Sequence, residues 1–267
     1  MYSGTTFNQT SGNFLGVHQK INKLAYKALL KQVGIKDFPP LSQILHFEGK
    51  NGPDGLKRKR PSLDEPWHFI DPKNPQETEL LALIKDHQTN LANALKDHNT
   101  ERAAFEAAWL AHAVVDGLTP AHHYPLEEKL EQLRGESLET RNSLRKKLVI
   151  SGDTRRERLQ KNWEFWGARG VMTSHVLFEL GVAGAITPMR NIKVRLTNHD
   201  VEDLEKRGFE SLFLDHLLQI DRLGMYEIFC RKGWTPLLAR ETRRDLIPTI
   251  AQTVTLAWLG AILESDL

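Results

Sequence analysis

Apolar residues recur along this chain every three or four positions, which is the spacing of one face of an α-helix. The first clear example begins at His18, and its apolar face is formed by Ile21, Leu24, Ala25, Ala28 and Leu29. We find no alternating strand pattern of useful length, no internal repeat and no low-complexity linker. The pattern therefore predicts an all-α protein.

Start and stop signals divide the rest of the chain into further helices. Asn74, Pro75 and Glu77 form a start signal, and the helix that follows is predicted to reach about Lys96. Asn99 and Thr100 open the next helix. Similar patterns predict helices over 126–133, 138–148, 154–166, 171–182, 201–207, 212–229 and 235–263. The segment 34–75 is rich in Gly, Pro and charge, so we predict one long irregular loop there, of a kind that is usually functional.

Composition narrows the fold and the chemistry. A chain of 267 residues can bury one sizeable core, so we predict a single domain over 1–267. The net charge of +2 selects no anionic partner. Cys230 is the single cysteine, which excludes a disulfide within the chain and nearly excludes thiolate metal sites. Any metal must therefore be held by His, Asp and Glu.

The two ends of the chain bear on its location. The first ten residues lack the basic and apolar regions of a secretory signal, so the cytoplasm is the default expectation, and export by a non-standard route stays open. The apolar stretch 247–263 contains Pro248 and Gln252. It is too short and interrupted for a membrane span, and we predict a buried C-terminal helix with no transmembrane segment.

The most informative chemistry lies between His112 and His122. His112 and Asp116 are four residues apart in a strongly helical stretch, so both side chains leave the same, otherwise apolar, face. Gly117 and Pro120 end the helix, and His122 follows directly after the turn. Two imidazoles and a carboxylate in one small volume suit a divalent metal such as zinc. A buried His–Asp hydrogen bond beside a surface histidine explains the same residues without a metal.

Five other residues are candidate ligands, and each also has an ordinary explanation. Asp54 lies in a turn-prone sequence, and His68 lies between aromatic residues, as interior histidines often do. His175 and Glu179 form an i, i+4 pair on an apolar helix, as an internal pair would. His18 begins the first long helix, where a capping role would suffice.

Taken together, these residues resemble the bacterial zinc-dependent phospholipases C and the single-strand-specific nucleases that share their fold. The segment 110–122 is similar to the family's L-x-H-x-x-G-D-x-x-Q-P-x-H element, and 68–72 (HFIDP) looks like the phospholipase H-F-Y-D-P element. The last pair ends in Glu, as in the phospholipases. The matching residues, in chain order, are His18, Asp54, His68, His112, Asp116, His122, His175 and Glu179.

The resemblance covers about 14–182 and implies two or three zinc ions, with helices over 200–265 completing a multi-helix globule. One zinc would be held by Asp54, His68, His112 and Asp116, and a second by His122, His175 and Glu179. A third would be held by His18 and Asp116. The family completes that third site with an N-terminal tryptophan, which this chain lacks. Either the Met1 amine, or an internal carbonyl near 13–16, replaces it, or only two ions bind. His123 is an alternative to His122, and an insertion at about 126–157 is expected to border the site.

The resemblance implies phosphoester hydrolysis by a metal-activated water, with Asp54 orienting or deprotonating that water. Phospholipid is the first expected substrate, with peripheral membrane contact, and single-stranded nucleic acid or a 3′-nucleotide is the second. The basic run at 57–60 either attracts such anions or is a solvated turn.

Three hypotheses from other classes stay open beside this one. A non-catalytic, metal-stabilised binding module is the first. A di-iron bundle is disfavoured, because only one Glu-x-x-His occurs, at Glu65 and His68. The dipeptide His199-Asp200 invites a comparison with HD phosphohydrolases, but Asn198 and Asp200 are more typical of a helix start.

Overall fold

The computed structural model describes residues 1–2, 16–34, 38–49, 51–59, 69–74, 79–123, 126–136, 140, 143–188 and 192–265. Within these ranges the chain is helical and contains no strand, as the apolar periodicity predicts. The helices are α1 (Val17–Val33), α2 (Leu41–Glu48), α3 (Pro53–Lys59), α4 (Glu79–Lys96), α5 (Thr100–Gly117), α6 (Leu126–Arg134), α7 (Leu144–Leu148), α8 (Arg155–Trp166), α9 (Val171–Ile186), α10 (Asn198–Arg207), α11 (Phe209–Asp221), α12 (Met225–Lys232), α13 (Pro236–Glu241) and α14 (Ile247–Glu264).

Helix α5 is the centre of the main core. Nearly every residue from Ala103 to Gly117 is buried, and the many alanines allow α4, α2 and α14 to pack closely around it. Asn99 caps its N-terminus, since its side chain accepts a hydrogen bond from the backbone N–H of Arg102 at 3.1 Å. A short 3₁₀ turn, Pro120–His122, follows α5 and directs the chain back towards the helix it has just left.

The C-terminal helices close the opposite side of this core. A π-helical turn, Thr242–Leu246, joins α13 to α14, and α14 packs along α1. By length and composition alone the continuous stretch Pro236–Glu264 would qualify as a membrane span, as the core helix of a soluble protein also can. Its most apolar window is 83% buried inside the protein, in agreement with the predicted buried helix.

A second, smaller core forms between α6 and α9. Its buried residues are Leu130, Ile150 and Phe165, and Phe69 packs against them. The polypeptide of this lobe spans the region where an insertion beside the site was expected.

Two predictions about helices are corrected by the structure. The segment 34–75 is not one irregular loop, because α2 and α3 lie within it. The single helix predicted over 212–229 is instead two, since the chain turns at Gly224, whose φ of 56° is left-handed and suits glycine.

Candidate metal centre

His112 and Asp116 face inward from α5, as their spacing predicts. Both are buried, and His112 Nε2 lies 3.2 Å from Asp116 Oδ2. Each of these polar groups is enclosed by an apolar core, where an unpaired charge would cost several kcal/mol. Both therefore need partners from other helices.

His18 supplies one partner from the first turn of α1. It is fully buried, with its Nε2 3.1 Å from Asp116 Oδ1. Its ring stacks on that of His112, with 4.3 Å between the ring centroids. The two imidazoles therefore present their Nε2 atoms to the two oxygens of one carboxylate.

Glu48, at the end of α2, is the residue that sequence reasoning missed. It is fully buried, and its Oε1 lies 3.2 Å from His18 Nδ1 and 3.0 Å from His112 Nδ1. Asn22 Nδ2 donates to the other carboxylate oxygen at 3.4 Å. The burial of Glu48 follows from the packing of α2 on α5, which no local sequence pattern indicates.

A second cluster lies where the 3₁₀ turn meets α9. His122 Nε2 and His175 Nε2 lie 3.1 and 3.2 Å from the same oxygen, Oε1 of Glu179. The His122 and His175 ring centroids are 5.0 Å apart. Phe69 stacks on His122 at 4.9 Å and covers this cluster from the side of the smaller core.

The amino group of Met1 connects the two clusters. It is buried, forms an ion pair with Asp116 Oδ1 and lies 3.3 Å from Glu179 Oε1. The Met1 carbonyl accepts a hydrogen bond from His18 Nε2 at 2.7 Å. Tyr2 fixes this end of the chain, since its carbonyl accepts from the Val17 backbone N–H at 2.9 Å. The amine and carbonyl of Met1 thus lie beside His18 and Asp116.

The charges of the centre are strongly coupled. Burial lowers the pKa of the Met1 amine, but Asp116, Glu179 and, more weakly, Asp54 outweigh burial and raise this pKa to about 10. Burial likewise lowers the pKa of His112, whereas Asp116 and Glu48 raise it to about 10.

The pKa values of two carboxylates, Asp116 and Glu179, shift in the opposite direction. Burial raises the pKa of Asp116, but the Met1 amine and the surrounding imidazoles outweigh burial and hold this pKa well below its usual value. The pKa of Glu179 is lowered in the same way by the amine and by His175 and His122, against the effect of burial. Positive charge is therefore concentrated here to balance buried negative charge.

The chemistry of these donors fits divalent metal. His18, Glu48 and His112 form one group, and His122, His175 and Glu179 form another, each with ligand atoms within 4.8 Å of one another. Ligand atoms around a tetrahedral zinc, at bond lengths of 2.0–2.2 Å, are separated by roughly 3.4 Å. The Nε2-to-carboxylate distances of 3.1–3.2 Å are close to that value. Imidazole nitrogens and carboxylate oxygens are also the donors that zinc accepts.

The remaining predicted residues fall into three groups. Asp54 lies in the first turn of α3, half-buried, and its charge acts on the Met1 amine. His68, Glu65 and Arg60 lie outside the described residues, as do the side chains of 57–59 and residues 13–15. Gly16 is described, and its carbonyl accepts from the Lys20 backbone N–H.

The alternatives at His123 and His199 do not fit the geometry. His123 Nε2 donates to the Gly117 carbonyl at 3.0 Å, and burial lowers the pKa of this imidazole to about 3. His122, not His123, therefore faces the cluster. His199 is largely exposed, and Asp200 forms a capping box with Thr197, so this dipeptide is a helix start.

Comparisons of the chain with protein-family models, with curated proteins and with solved structures find no match.

Proposed function

We propose that this chain is a zinc-dependent phosphoester hydrolase that resembles the phospholipases C. One observation carries the proposal: four imidazole Nε2 atoms converge in pairs on two carboxylates, the buried Asp116 and the partly buried Glu179. A hydrogen bond that only stabilises the fold needs no more than one imidazole for each carboxylate. Two adjoining clusters with paired imidazoles instead favour a multinuclear metal centre.

The residues that would hold zinc follow the resemblance. His112, Asp116, Asp54 and His68 are the ligands proposed for the first ion. His122, His175 and Glu179 are those proposed for the second, and their ligand atoms lie within 4.8 Å of one another. The third is proposed to bind His18 and Asp116 with the amine and carbonyl of Met1, which lie beside these two residues.

Charge balance supports at least two ions. Glu48, Asp54, Asp116 and Glu179 bring four carboxylates to the centre, and the ligating imidazoles must be neutral to bind metal. Two divalent cations carry an equal and opposite charge. With a single ion, the remaining negative charge would have to be balanced by the Met1 amine and by protonated imidazoles, which could then not bind metal.

Zinc held by these residues would lower the pKa of a bound water towards about 7 and would stabilise the charge that develops during displacement at phosphorus. Asp54 is the residue proposed to accept the proton of the attacking water. Its half-buried side chain is compatible with contact to both solvent and the centre. Glu48 is proposed to hold the imidazoles of His18 and His112 from their Nδ1 sides, since the Nε2 sides face Asp116.

Phospholipid is the first proposed substrate, because Glu179 and the segment 68–72 resemble the phospholipase branch. Single-stranded nucleic acid is the second, and one observation favours it. A groove of about 480 Å³ lies between the outer face of α1 and residues 192–195. The cations that line it have no carboxylate partner among the described residues: Lys20, Lys23, Lys27, Lys31, Lys193 and Arg195. Such a groove suits a phosphate backbone.

Zinc content per chain is the first test. Elemental mass spectrometry on untagged protein is expected to give two or three equivalents. His112→Ala and Asp116→Ala are expected to lose zinc and to abolish hydrolysis of phosphodiesters, with the helical circular-dichroism spectrum retained. His87→Ala is a matched control, because His87 also pairs with a buried carboxylate, Glu106 at 2.6 Å, but lies outside both clusters.

Three outcomes separate the hypotheses. Zinc with hydrolysis of phosphatidylcholine favours the phospholipase reading, and zinc with cleavage of a single-stranded oligonucleotide favours the nuclease reading. Zinc without turnover on either substrate supports the non-catalytic module and overturns the enzymatic proposal. Protein that takes up no zinc after reconstitution overturns the metal centre itself.

A further inference from the structure

Helix α8 has two apolar faces, of which one is exposed. Phe165 points inward and packs with Leu130 and Ile150 in the smaller core. Leu159, Trp163 and Trp166, spaced at i, i+4 and i+7, lie on another face and are 72%, 70% and 42% exposed. A surface helix of a soluble protein ordinarily has one apolar face.

The last residue of α7 and the residue that follows it extend this exposed face. Leu148 and Val149 are about half exposed, and Trp166 Nε1 donates to the Leu148 carbonyl at 2.7 Å. This hydrogen bond joins the end of α7 to the outer face of α8. We call these five side chains the outer patch: Leu148, Val149, Leu159, Trp163 and Trp166. A contiguous apolar surface of this kind marks an interaction site.

The segment that carries the outer patch is rich in cations. Residues 143–169 contain eight Lys or Arg and three Asp or Glu, although the whole chain is nearly neutral. Two of the three acids are already engaged, because Glu157 pairs with Lys161 at 2.8 Å and Glu164 accepts from Gln160 at 3.0 Å. Arg155 and Arg156, both exposed, fall on the same helical face as the patch.

The outer patch is fixed close to the metal centre. Phe69 packs against the smaller core on one side and stacks on His122 on the other. Thr173, two residues before His175 on α9, donates its hydroxyl to the Trp166 carbonyl at 2.9 Å. One layer of side chains therefore separates the helix that carries the patch from the His122–His175–Glu179 cluster.

We infer that the outer patch and its cations dock the protein onto an anionic lipid surface. Exposed Trp and Leu with flanking Lys and Arg are the composition of segments that lie in the membrane interface. The inference deepens the proposed function and rests on it for the substrate, since docking here would bring a lipid phosphodiester near the second cluster. Binding to lipid itself requires no hydrolysis.

Two other occupants of the outer patch, a second copy of the chain and nucleic acid, are disfavoured. A second copy of the chain seated on the same patch would bring two segments of net positive charge together, at an electrostatic cost. Nucleic acid would stack on the tryptophans but would leave Leu148, Val149 and Leu159 without apolar contacts. An anionic bilayer offers negative headgroups to the cations and acyl chains to the aliphatic side chains.

The test is co-sedimentation with vesicles and tryptophan fluorescence. We expect the zinc-loaded protein to sediment with vesicles of equal parts phosphatidylcholine and phosphatidylglycerol, and more weakly with phosphatidylcholine alone. Emission should shift to shorter wavelength on binding. Trp163→Phe should keep the binding and lose much of that shift, because Trp163 is the more exposed tryptophan of the patch.

Paired variants separate the apolar and charged contributions. Arg155→Ser with Arg156→Ser should weaken partition onto the anionic vesicles by roughly 30-fold, at about 1 kcal/mol for each cation. Leu159→Ser with Trp163→Ser should weaken partition onto both vesicle types by about tenfold or more. The matched controls are Leu218→Ser, an exposed leucine of α11, and Arg231→Ser with Lys232→Ser on α12, all expected to bind as the parent does.

The result that would overturn the inference is distinct from failure of the proposed function. The inference is wrong if the parent protein binds neither vesicle type. It is also wrong if the patch variants bind vesicles as tightly as the parent does. Concentration-dependent dimerisation lost in the patch variants, or binding to an oligonucleotide in place of vesicles, would also overturn it. Vesicle binding lost in the variants, in protein that hydrolyses no phosphodiester, would keep the docking surface and reject the hydrolase.

Discussion

At the scale of single residues, Glu48 is the most informative side chain of the centre. One carboxylate oxygen contacts the Nδ1 atoms of both His18 and His112, which leaves their Nε2 atoms directed at Asp116. A carboxylate behind a metal-binding imidazole fixes its tautomer and orientation and raises its basicity. Here one carboxylate holds two rings, so its removal should affect two proposed ligands at once.

Glu48→Gln is expected to weaken zinc affinity by about 10–100-fold with little change in fold. The measurement is competition for zinc against a chelating dye. Glu106→Gln is the matched control, because Glu106 is equally buried and accepts from His87 but lies away from both clusters. Equal zinc affinities in the two variants would show that Glu48 is only a structural partner.

His216 gives a pH-dependent prediction away from the proposed metal centre. Burial lowers the pKa of its imidazole, although Asp200 and Asp215 partly oppose that effect. Its Nδ1 lies 2.7 Å from the Thr253 hydroxyl, which itself donates to the Thr249 carbonyl, so Nδ1 is the protonated donor of a neutral ring.

A lowered folded-state pKa means that the unfolded chain takes up this proton first as the pH falls. The contribution of His216 to stability is therefore complete above about pH 6.5 and declines below it. His216→Asn keeps a donor for Thr253 but does not titrate. Urea denaturation between about pH 7 and pH 5 should show a shallower loss of unfolding free energy in the variant. Parallel curves would contradict the assignment.

At the scale of elements, α5 and its neighbours approach one another closely at Gly117, next to Asp116. A Cβ atom placed there would lie 2.5 Å from Leu80 Cδ2 and 3.0 Å from Phe213 Cζ, and both of those side chains are fully buried. Both neighbours would have to move, because neither has open space around it. The glycine thus permits α4 and α11 to approach the end of α5.

Gly117→Ala is expected to lower the free energy of unfolding by about 1–3 kcal/mol, despite the better helix propensity of alanine. Thermal denaturation would measure the loss. Gly184→Ala is the control, since a Cβ atom there meets nothing within 4 Å in another helical position. A stabilised Gly117→Ala would mean that the helices separate easily.

Most helices could be predicted because their apolar spacing is set locally. Asn99 and Thr154 both cap the helices they were expected to begin. The errors occur where local signals are weak. Helix α2 is only eight residues long and follows two prolines, and the turn at Gly224 interrupts an apolar pattern that continues through it.

At the scale of the whole molecule, the proposed metal centre joins both lobes and should contribute to overall stability. Metal that binds only the folded state, at a free concentration about 1,000 times its Kd, stabilises by about 4 kcal/mol. For a chain of this size that corresponds to a Tm change of roughly 10 °C. Chelation should therefore lower the Tm of the parent by about that amount and change that of Asp116→Ala much less. An unchanged parent Tm would argue against tightly bound metal.

The composition of the centre was only partly predictable because it depends on which helices meet. The pairs at His112 and Asp116 and at His175 and Glu179 follow from helix geometry alone. Glu48 joins them only because α2 packs on α5, and no local pattern encodes that contact. The position of the Met1 amine likewise depends on how the start of the chain packs beside α1.

The distribution of the proposed ligands along the chain has a consequence for folding kinetics. His18 and Glu179 belong to helices separated by most of the sequence, and Asp116 lies between them, so the centre is complete only after α1, α5 and α9 have docked. We expect contacts that need all three helices to be absent from the folding transition state. Zinc should then leave the rate of folding nearly unchanged and slow the rate of unfolding. The metal would therefore increase the kinetic stability of a structure that forms without it.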